Sequence, residues 1–449
     1  RLIDTYMSYG YVPGGNTLIT KIKHLMPGHY LLIDNDRKMA IKKYWDVSFL
    51  PAEDKGLEYF LDKGRSLLNS SIAYRLRSDV PLGIFLSGGI DSSTIVGLLA
   101  ANNIEQLKTF SVAYDFGNKF NETSYAKMVA EKFHTEHHEI IVTPEQFMEF
   151  IPEYIKYMDE PVAESAAISL YFVSKLTSDY VTVVLSGEGS DELFAGYDFY
   201  IYMLMIEMYR KMIGEKNART MARILPDALK SVHKFRKYIE LSALPLNKRY
   251  KGISTYEEDI KKTLYKKEYR KSLENLASDE MTQFTQALFA HTSNSDDLSK
   301  MLFFDLKTWL VNDLLIKADR MSMAASLELR VPFLDHRMVE FAASLPSKYK
   351  IKNMNTKYFL KQMVKDILPR QIINRKKMGF PTPLAAMFRN QLKEYVYDML
   401  IGTNVAVNKY FKARAVEDIL QQHTKNEKDN HKIIWQLLVL EQWFQKVYK

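Results

Sequence analysis

The amino-acid sequence predicts an α/β fold in which a parallel sheet flanked by helices is followed by a mostly helical C-terminal half. Short apolar runs alternate with helical patterns in the part of the chain before Tyr200. One of these runs, residues 80–86, ends in the glycine-rich stretch SGGIDSS. Beyond Tyr200, apolar residues recur almost only at helical spacing. Strands that alternate with helices form parallel sheets through right-handed crossovers.

Composition excludes several classes of protein. The 449 residues are 47% hydrophobic and 26% charged, which is ordinary for a globular protein. No apolar run approaches the roughly 18 residues of a membrane span, and the first residues lack the pattern of a signal peptide. The absence of cysteine excludes disulfides, thiolate nucleophiles and cysteine metal sites. We therefore expect a cytoplasmic protein without membrane contact.

The basic character of the chain comes from one segment. Residues 210–251 contain twelve Lys or Arg and three acidic residues, a net charge of +9, whereas the whole chain carries +8. A solvated helical face is the simpler interpretation, and a partner or nucleic-acid surface is the alternative. We expect no nucleic-acid partner.

The N-terminal region is predicted to be a short β segment. Residues 1–45 show alternating apolar residues, Gly-Gly and Pro-Gly turns, and a hairpin signal at Asn35 and Asp36. Residues 53–77 then show a helical pattern that leads into the first strand of the sheet.

Four strands are predicted for the sheet, with a helix at residues 122–133 between the second and the third. The predicted strands are residues 80–86, 109–114, 138–142 and 181–185. Ligands of such sheets bind at the carboxyl ends of the strands. The residues that follow each strand are therefore the candidates for function.

The stretch SGGIDSS follows the first predicted strand and opens a helix. The backbone N–H groups of Gly88 and Gly89, together with nearby serine hydroxyls, can approach an anion at the positive end of that helix. Asp91 suits this place if Mg²⁺ lies between it and a phosphate chain. A purely structural glycine turn is the alternative, but seven ordered residues favour a nucleotide loop.

A second glycine-rich stretch, SGEGSDELFAGY, follows the fourth predicted strand at residues 186–197. We expect Asp191 to join Asp91 on Mg²⁺, and Glu188 to face the substrate as a proton acceptor or positioning group. The alternative is an acidic helix start that complements the helix dipole.

Two polar stretches lie in the helical half. Residues 317–342 carry enough charges for a buried ion network beside the site, and a solvated face is the alternative. Residues 374–383, NRKKMGFPTP, are predicted to form a loop whose cations reach a nucleotide. One of them would stabilise charge that develops on phosphate. The residue pattern does not distinguish among Arg375, Lys376 and Lys377.

Four motifs in this order, SGGIDSS, SGEGSDELFAGY, KADRMSMAASLELRVPFLD and RKKMGFPTPL, resemble the synthetase domain of glutamine-hydrolysing asparagine synthetases. The resemblance implies an adenine-nucleotide alpha-hydrolase sheet, the PP-loop ATP pyrophosphatase type. It implies that residues 1–50 end a glutaminase domain and that residues 51–449 form the synthetase domain. The implied reaction uses ATP to adenylate the side-chain carboxylate of aspartate, and ammonia then displaces AMP.

The resemblance also implies roles for individual residues. Asp91 and Asp191 would hold Mg²⁺, Glu188 would assist attack by ammonia, and Lys377 would stabilise the adenylation transition state. ATP and its pyrophosphate would contact Phe85, Leu86, Ser87, Gly88, Gly89, Asp91, Ser92, Ser93, Val112, Ser186 and Gly187.

Two departures from the family pattern affect these expectations. The family's glutaminase nucleophile is an N-terminal cysteine, whereas this sequence begins at Arg1 and has no cysteine. We therefore expect free ammonia or another amine as the donor unless a glutaminase domain is supplied. The stretch DEPVAESAAISLY has Glu164, Ser165, Ala166 and Ser169 where Asp, Pro, Ser and Pro are usual.

The second departure leaves carboxylates other than aspartate open as substrates. Amide or lactam synthetases that act on other carboxylates are the alternative within this fold. A tRNA-modifying ATPase and a nucleotide-binding pseudoenzyme are more remote alternatives. A homodimer is compatible with the resemblance.

Overall fold

The computed structural model describes residues 1–104, 106–115, 123–214, 216–218, 220, 239–253, 258–274, 280–377 and 382–446. Two sheets occur in this part of the chain. A two-stranded antiparallel hairpin pairs β1 with β2, and a five-stranded parallel sheet has the order β5-β4-β3-β6-β7. The strands are β1 His29–Ile33, β2 Met39–Lys43, β3 Leu82–Phe85, β4 Lys108–Tyr114, β5 Glu136–Val142, β6 Val183–Leu185 and β7 Glu328–Arg330.

Helices alternate with the strands of the parallel sheet, as the sequence predicts. The first eight are α1 Leu2–Tyr9, α2 Leu57–Arg75, α3 Ile90–Ala101, α4 Thr123–Lys132, α5 Pro144–Met158, α6 Ala166–Ser178, α7 Ser190–Phe194 and α8 Asp198–Ile213. All three residues of β6 are buried, and in β3 Ile84 is buried while Leu82 and Phe85 are partly buried, as expected for strands inside a parallel sheet that packs against helices. The predicted α/β fold, a parallel sheet flanked by helices, is confirmed.

The C-terminal half is mostly helical, as predicted. Its α-helices are Leu246–Arg249, Glu258–Leu264, Lys267–Glu274, Glu280–His291, Asp297–Lys307, Leu315–Ala324, His336–Ser344, Ser347–Lys350, Tyr358–Met363, Arg370–Asn374, Leu384–Arg389, Lys393–Ile401, Ala413–Thr424 and His431–Lys446. Other helical turns are a π-helix at Leu310–Leu314 and 3₁₀ turns at Pro332–Leu334 and Ala406–Lys409. No helix in the described ranges is long and apolar enough to cross a membrane.

All four predicted strands are present with boundaries shifted by up to two residues. The prediction missed β7, which lies at the sheet edge beside β6 and carries the polar sequence ELR. An edge strand of three residues with two charges gives no apolar run to detect.

The prediction of a β segment over residues 1–45 is wrong in its first part. Residues 2–9 form helix α1, which buries Tyr6 and Met7 and ends at Gly10 in the left-handed conformation. The helix docks on the last helix of the chain, where Tyr6 Oη donates to the Gln436 carbonyl at 2.8 Å. The predicted hairpin is confirmed, with its turn at Asp34–Lys38 between β1 and β2.

The basic segment 210–251 is only partly described, since residues 215, 219 and 221–238 lie outside the described residues. Arg210 and Arg249 both pair with Glu207, at 3.2 and 2.5 Å. Lys211 pairs with Asp297 at 2.7 Å. Part of the positive charge is therefore balanced within the chain.

Candidate active site

The loop after β3 turns sharply so that helix α3 can begin beside it. Gly88 has a φ of +68°, and a Cβ atom there would lie 2.5 Å from the backbone nitrogen of Ala126. Only glycine fits this turn. The Ser87 and Ser92 hydroxyls lie 3.2 Å apart, and the Ser92 hydroxyl also accepts a hydrogen bond from the Ser87 N–H. The turn gathers hydroxyl groups at the start of α3, as an anion site requires.

The loop after β6 contacts the first loop directly. A Cβ atom on Gly187 would lie 2.8 Å from Cβ of Asp91 and 2.9 Å from the Ser92 nitrogen. Because β3 and β6 are neighbouring parallel strands, their carboxyl ends bring both glycine-rich loops to the same edge of the sheet. The sequence predicted this convergence.

The carboxylates of the two loops share one buried lysine. Lys357 Nζ lies 2.5 and 2.6 Å from the two oxygens of Asp91 and 2.7 Å from Oδ1 of Asp191. Gly196 leaves room for this arrangement, since a Cβ atom there would lie 1.8 Å from Asp191 Oδ1. Lys377 Nζ also contacts Asp191 Oδ1, at 2.5 Å. Two carboxylates and two ammonium groups therefore meet at the strand ends.

This charge arrangement changes the pKa values of Asp191 and Lys357. Burial alone would raise the pKa of Asp191, but the ammonium groups of Lys357 and Lys377 outweigh burial and hold it well below its usual range. Burial would lower the pKa of Lys357, but Asp191 and Asp91 outweigh it and raise the pKa. Asp191 and Lys357 are therefore both charged at neutral pH.

The basic stretch after Asn374 separates its three cations. Arg375 donates to the Gly88 carbonyl at 3.0 Å and lies 4.3 Å above the Tyr125 ring. Lys377 lies 3.9 Å above the Tyr197 ring in addition to its contact with Asp191. Lys376 is exposed at the edge of the cavity. Residues 378–381 lie outside the described part of the chain.

A cavity of about 490 Å³ opens at the carboxyl ends of β3, β4 and β6. This volume lies in the range of about 300–1,000 Å³ that is typical of small-molecule sites. The predicted site residues that line the cavity are Phe85, Leu86, Ser87, Gly89, Asp91, Ser92, Val112, Ser186, Gly187, Glu188, Asp191 and Lys377. Gly88 and Ser93 do not line it, and Ser93 is fully buried within α3.

A second group of charges lies at the cavity beyond the glycine-rich loops. Glu188, Glu164 and Lys317 line this end, and Asp313 is buried close to them. Burial raises the pKa of Glu188 to about 7, against the opposing effect of Lys317. Glu188 Oε2 is buried without a hydrogen-bond partner among the described residues. It can therefore accept a proton at neutral pH from a molecule in the cavity.

Two contacts at the site were not predicted from the sequence. Lys357 lies in a polar loop, NMNTKYF, with no motif that marks it. The Tyr197 hydroxyl donates to Glu192 Oε1 at 2.5 Å, and burial raises the pKa of Glu192 to about 7 with Asp191 adding to the effect. The sequence signal that could have predicted the second contact is the presence of acidic and aromatic residues together in SGEGSDELFAGY.

The expected network at residues 317–342 is present in part. Lys317 is buried at the cavity, and Asp335 pairs with Arg75 at 3.2 Å and Arg337 at 2.9 Å. Arg320 instead forms a solvent-exposed ion pair with Asp159 at 2.9 Å. Both interpretations of this stretch, a buried ion network and a solvated face, therefore apply to different residues.

The donor set fits a magnesium nucleotide. No cluster of three or more metal-ligating side chains occurs among the residues the structure describes. Asp91 and Asp191 nevertheless face one point that already holds a cation, the Lys357 ammonium. Mg²⁺ is commonly bound by one or two carboxylates with phosphate oxygens completing its shell.

Comparison with known proteins gives consistent matches. A family model described as asparagine synthase matches residues 63–445. Asparagine synthetase [glutamine-hydrolyzing] 1 of Bacillus subtilis (strain 168) is 35% identical over 444 residues, which cover 98% of this chain and 68% of that protein. A putative asparagine synthetase [glutamine-hydrolyzing] of Mycobacterium tuberculosis is 32% identical, with 99% and 67% covered. Amidase chyE of Penicillium rubens is 24% identical, with 82% and 59% covered.

Proposed function

The chain belongs to the asparagine synthase family, and from that premise we propose that it adenylates the side-chain carboxylate of aspartate and converts the product to asparagine with ammonia. Membership makes the chain an ATP-dependent ligase that forms a carbon–nitrogen bond. The observation that carries the finer proposal is the convergence of Asp91, Asp191, Lys377 and Glu188 on one cavity.

In the first step, a carboxylate oxygen attacks the α-phosphorus of ATP, and the bond to the β-phosphate breaks as pyrophosphate leaves with its electron pair. The glycine-rich loop around Ser87 and Gly89 binds the departing pyrophosphate through N–H and hydroxyl groups at the start of α3. Lys377, held between Asp191 and the Tyr197 ring, offsets negative charge that develops on the phosphates. The chain thus aligns the two reactants and stabilises the leaving group.

Mg²⁺ would be held by Asp91 and Asp191 together with phosphate oxygens. When bound, the ion neutralises phosphate charge and makes pyrophosphate a better leaving group. The ligand assignment predicts that Asp91→Asn weakens Mn²⁺ binding measured by electron paramagnetic resonance in the presence of ATP. Unchanged binding would contradict it.

In the second step, ammonia attacks the activated carbonyl carbon, and AMP leaves with the electron pair of its carbon–oxygen bond. The attacking nitrogen must lose a proton. Glu188 is the acceptor, since burial raises its pKa to about 7 and its Oε2 atom is unpaired among the described residues. The partly enclosed cavity limits access of water to the acyl adenylate.

Aspartate as the substrate is supported by the charges around Lys317. This ammonium can pair with the substrate α-carboxylate, and Glu164 can pair with its α-ammonium group. The amidase-named relative and the changed residues after Asp159 favour one alternative, an amide or lactam synthetase for a different carboxylate.

We propose a domain boundary at residue 50, between the end of a glutaminase domain and the synthetase domain. Hairpin β1–β2 is exposed on both faces and displays Leu31, Ile33 and Ile41 to solvent, as expected for the end of a preceding domain. Helix α1, in contrast, is docked into the core of the synthetase domain. The region therefore has contacts that belong to the synthetase domain itself.

The test is pyrophosphate release from ATP and Mg²⁺ in the presence of ammonium. Aspartate is compared with glutamate, β-alanine derivatives and other amino-acid carboxylates, and each product is identified by mass. Aspartate-dependent release with formation of asparagine is the expected result. Release with a different carboxylate alone would assign the chain to the amide or lactam alternative, and no release with any of them would refute the proposed adenylation.

A further inference from the structure

The loop between α5 and α6 is held by the N-terminal segment of the chain. The Ala163 N–H donates to the Gly10 carbonyl at 2.7 Å. Glu160 accepts a hydrogen bond from the Leu18 N–H at 2.7 Å through Oε1, and its Oε2 lies 3.0 Å from His24 Nε2. We call loop 159–165 the substrate loop, and residues 10–24 the splint segment. One carboxylate, that of Glu160, therefore bonds two separate points of the splint segment.

The first residue of the substrate loop is also fixed, by contacts with two C-terminal helices. Trp443 Nε1 donates to the Asp159 carbonyl at 2.8 Å, and the Asp159 carboxylate pairs with Arg320 at 2.9 Å. Asp159 has a φ of +61°, a conformation that costs energy for a residue other than glycine. Such a conformation persists only where neighbouring contacts determine it. The splint segment and the C-terminal helices supply those contacts.

The substrate loop ends at the cavity. Glu164 lines the cavity at its Lys317 end and accepts a hydrogen bond from the Ala166 N–H at 3.1 Å, where α6 begins. The anchor at Ala163 immediately precedes it, so displacement of the loop would move the Glu164 carboxylate. Small displacements of this kind are costly for substrate alignment.

We propose that Glu160 and His24 form a positioning pair through which the splint segment fixes the substrate loop and so sets affinity for the carboxylate substrate. The inference rests on the proposed function, because it assigns the Lys317 end of the cavity to that substrate. Neither residue lines the cavity. The pair therefore acts through the loop and takes no part in the chemistry.

The electrostatic environment supports this pairing. The hydrogen bond to Glu160 raises the pKa of His24, whereas burial and the positive charge of Arg320 oppose the increase. Arg320 is itself paired with Asp159. The protonated imidazole donates a charge-assisted hydrogen bond to Glu160, which is stronger than the bond from neutral histidine. We therefore expect the splint to weaken as pH rises through the pKa of His24.

The experiment compares Glu160→Ala, Glu160→Gln and His24→Ala with the unchanged chain, using pyrophosphate release. Glu160→Ala is expected to raise KM for the carboxylate about tenfold while kcat and KM for ATP stay within about twofold. Glu160→Gln can still accept from Leu18 and donate to neutral His24. We expect it to retain most of the affinity and to lose the pH dependence of KM. His24→Ala should raise KM and also remove that dependence.

The matched control is His431→Ala, which removes another histidine–carboxylate contact, 2.8 Å from Asp429. This variant should leave KM for the carboxylate and its pH dependence unchanged. Parallel losses for ATP and carboxylate in Glu160→Ala would overturn the positioning role, because a general structural defect has no preference between the substrates. An unchanged carboxylate KM would overturn it as well.

A second readout separates the splint from the proposed function. Hydrogen exchange followed by mass spectrometry reports the Leu18 and Ala163 amides directly, since both are bonded across the contact. Glu160→Ala should raise exchange in both segments and nowhere near α3. Failure of every carboxylate to support pyrophosphate release would refute the proposed function. Unchanged exchange in Glu160→Ala would refute the splint whatever the activity.

Discussion

Lys357 donates hydrogen bonds to both carboxylate oxygens of Asp91, at 2.5 and 2.6 Å, although the two residues are 266 positions apart in the sequence. The same ammonium lies 2.7 Å from Asp191. The two glycine-rich loops are thus joined by a side chain from a third part of the chain. Lys357 therefore stabilises the site before any ligand binds.

Lys357→Met is expected to destabilise the protein by about 3 kcal/mol or more, because it leaves two largely buried carboxylates without a shared cation. Pyrophosphate release should fall at least about 100-fold. Urea denaturation and the release assay measure the two effects. Lys352→Met, which changes an exposed lysine in the same loop, is the control. Equal stability of the two variants would contradict the bridging role.

Lys377→Met is expected to reduce pyrophosphate release about 100-fold, because the ammonium beside Asp191 is lost where phosphate charge develops. Lys376→Met should cost less than about tenfold, since that side chain is exposed and holds no carboxylate in the described structure. Single-turnover kinetics with saturating ATP separate this step from nucleotide binding. A larger loss in Lys376→Met would reverse the assignment between the two lysines.

The sequence was sufficient to predict most of the sheet, and most of the predicted site residues line the cavity, for one physical reason. Apolar strands followed by glycine-rich loops place polar residues at one edge of a parallel sheet, and both local patterns are visible in Ser87–Ser93 and Ser186–Tyr197. Lys357 was not predictable, because its partners are brought to it only by tertiary packing.

Other features of the structure also could not be predicted from local sequence patterns. Three cations follow Asn374 in succession, and only the folded chain shows that Arg375 contacts the Gly88 carbonyl while Lys377 contacts Asp191. Helix α1 has eight residues, too few for its period to stand out from the turn signals that follow. The splint contacts of Glu160 join distant segments and leave no local pattern.

Glu188→Gln is expected to leave the pyrophosphate released in a single turnover almost unchanged and to reduce amide formation about 100-fold, because the amide cannot accept the proton of attacking ammonia. In the unchanged chain, the amide-forming step should increase with pH through about 7, where Glu188 loses its proton. Product formation is measured at constant free ammonia.

Asp305→Asn is the control for the pH dependence. Asp305 is a buried carboxyl outside the cavity, and burial raises its pKa to about 8. A pH profile that Asp305→Asn flattens and Glu188→Gln retains would refute the assignment.

Lys350→Met is expected to stabilise the protein, because Lys350 is fully buried and its Nζ has no hydrogen-bond partner among the described residues. Burial lowers its pKa to about 7, and Asp296 only partly opposes this. Between pH 7 and the pKa of about 10.4 in the unfolded chain, the unfolded state binds the extra proton. Stability of the unchanged chain therefore rises with pH across this window. The gain in stability from Lys350→Met should be largest below pH 7 and shrink toward pH 10.

Urea denaturation at several pH values measures the gain in the free energy of unfolding. Lys348→Met, which changes an exposed lysine, is the control. A gain that does not change with pH would show that the ammonium charge is not the cause.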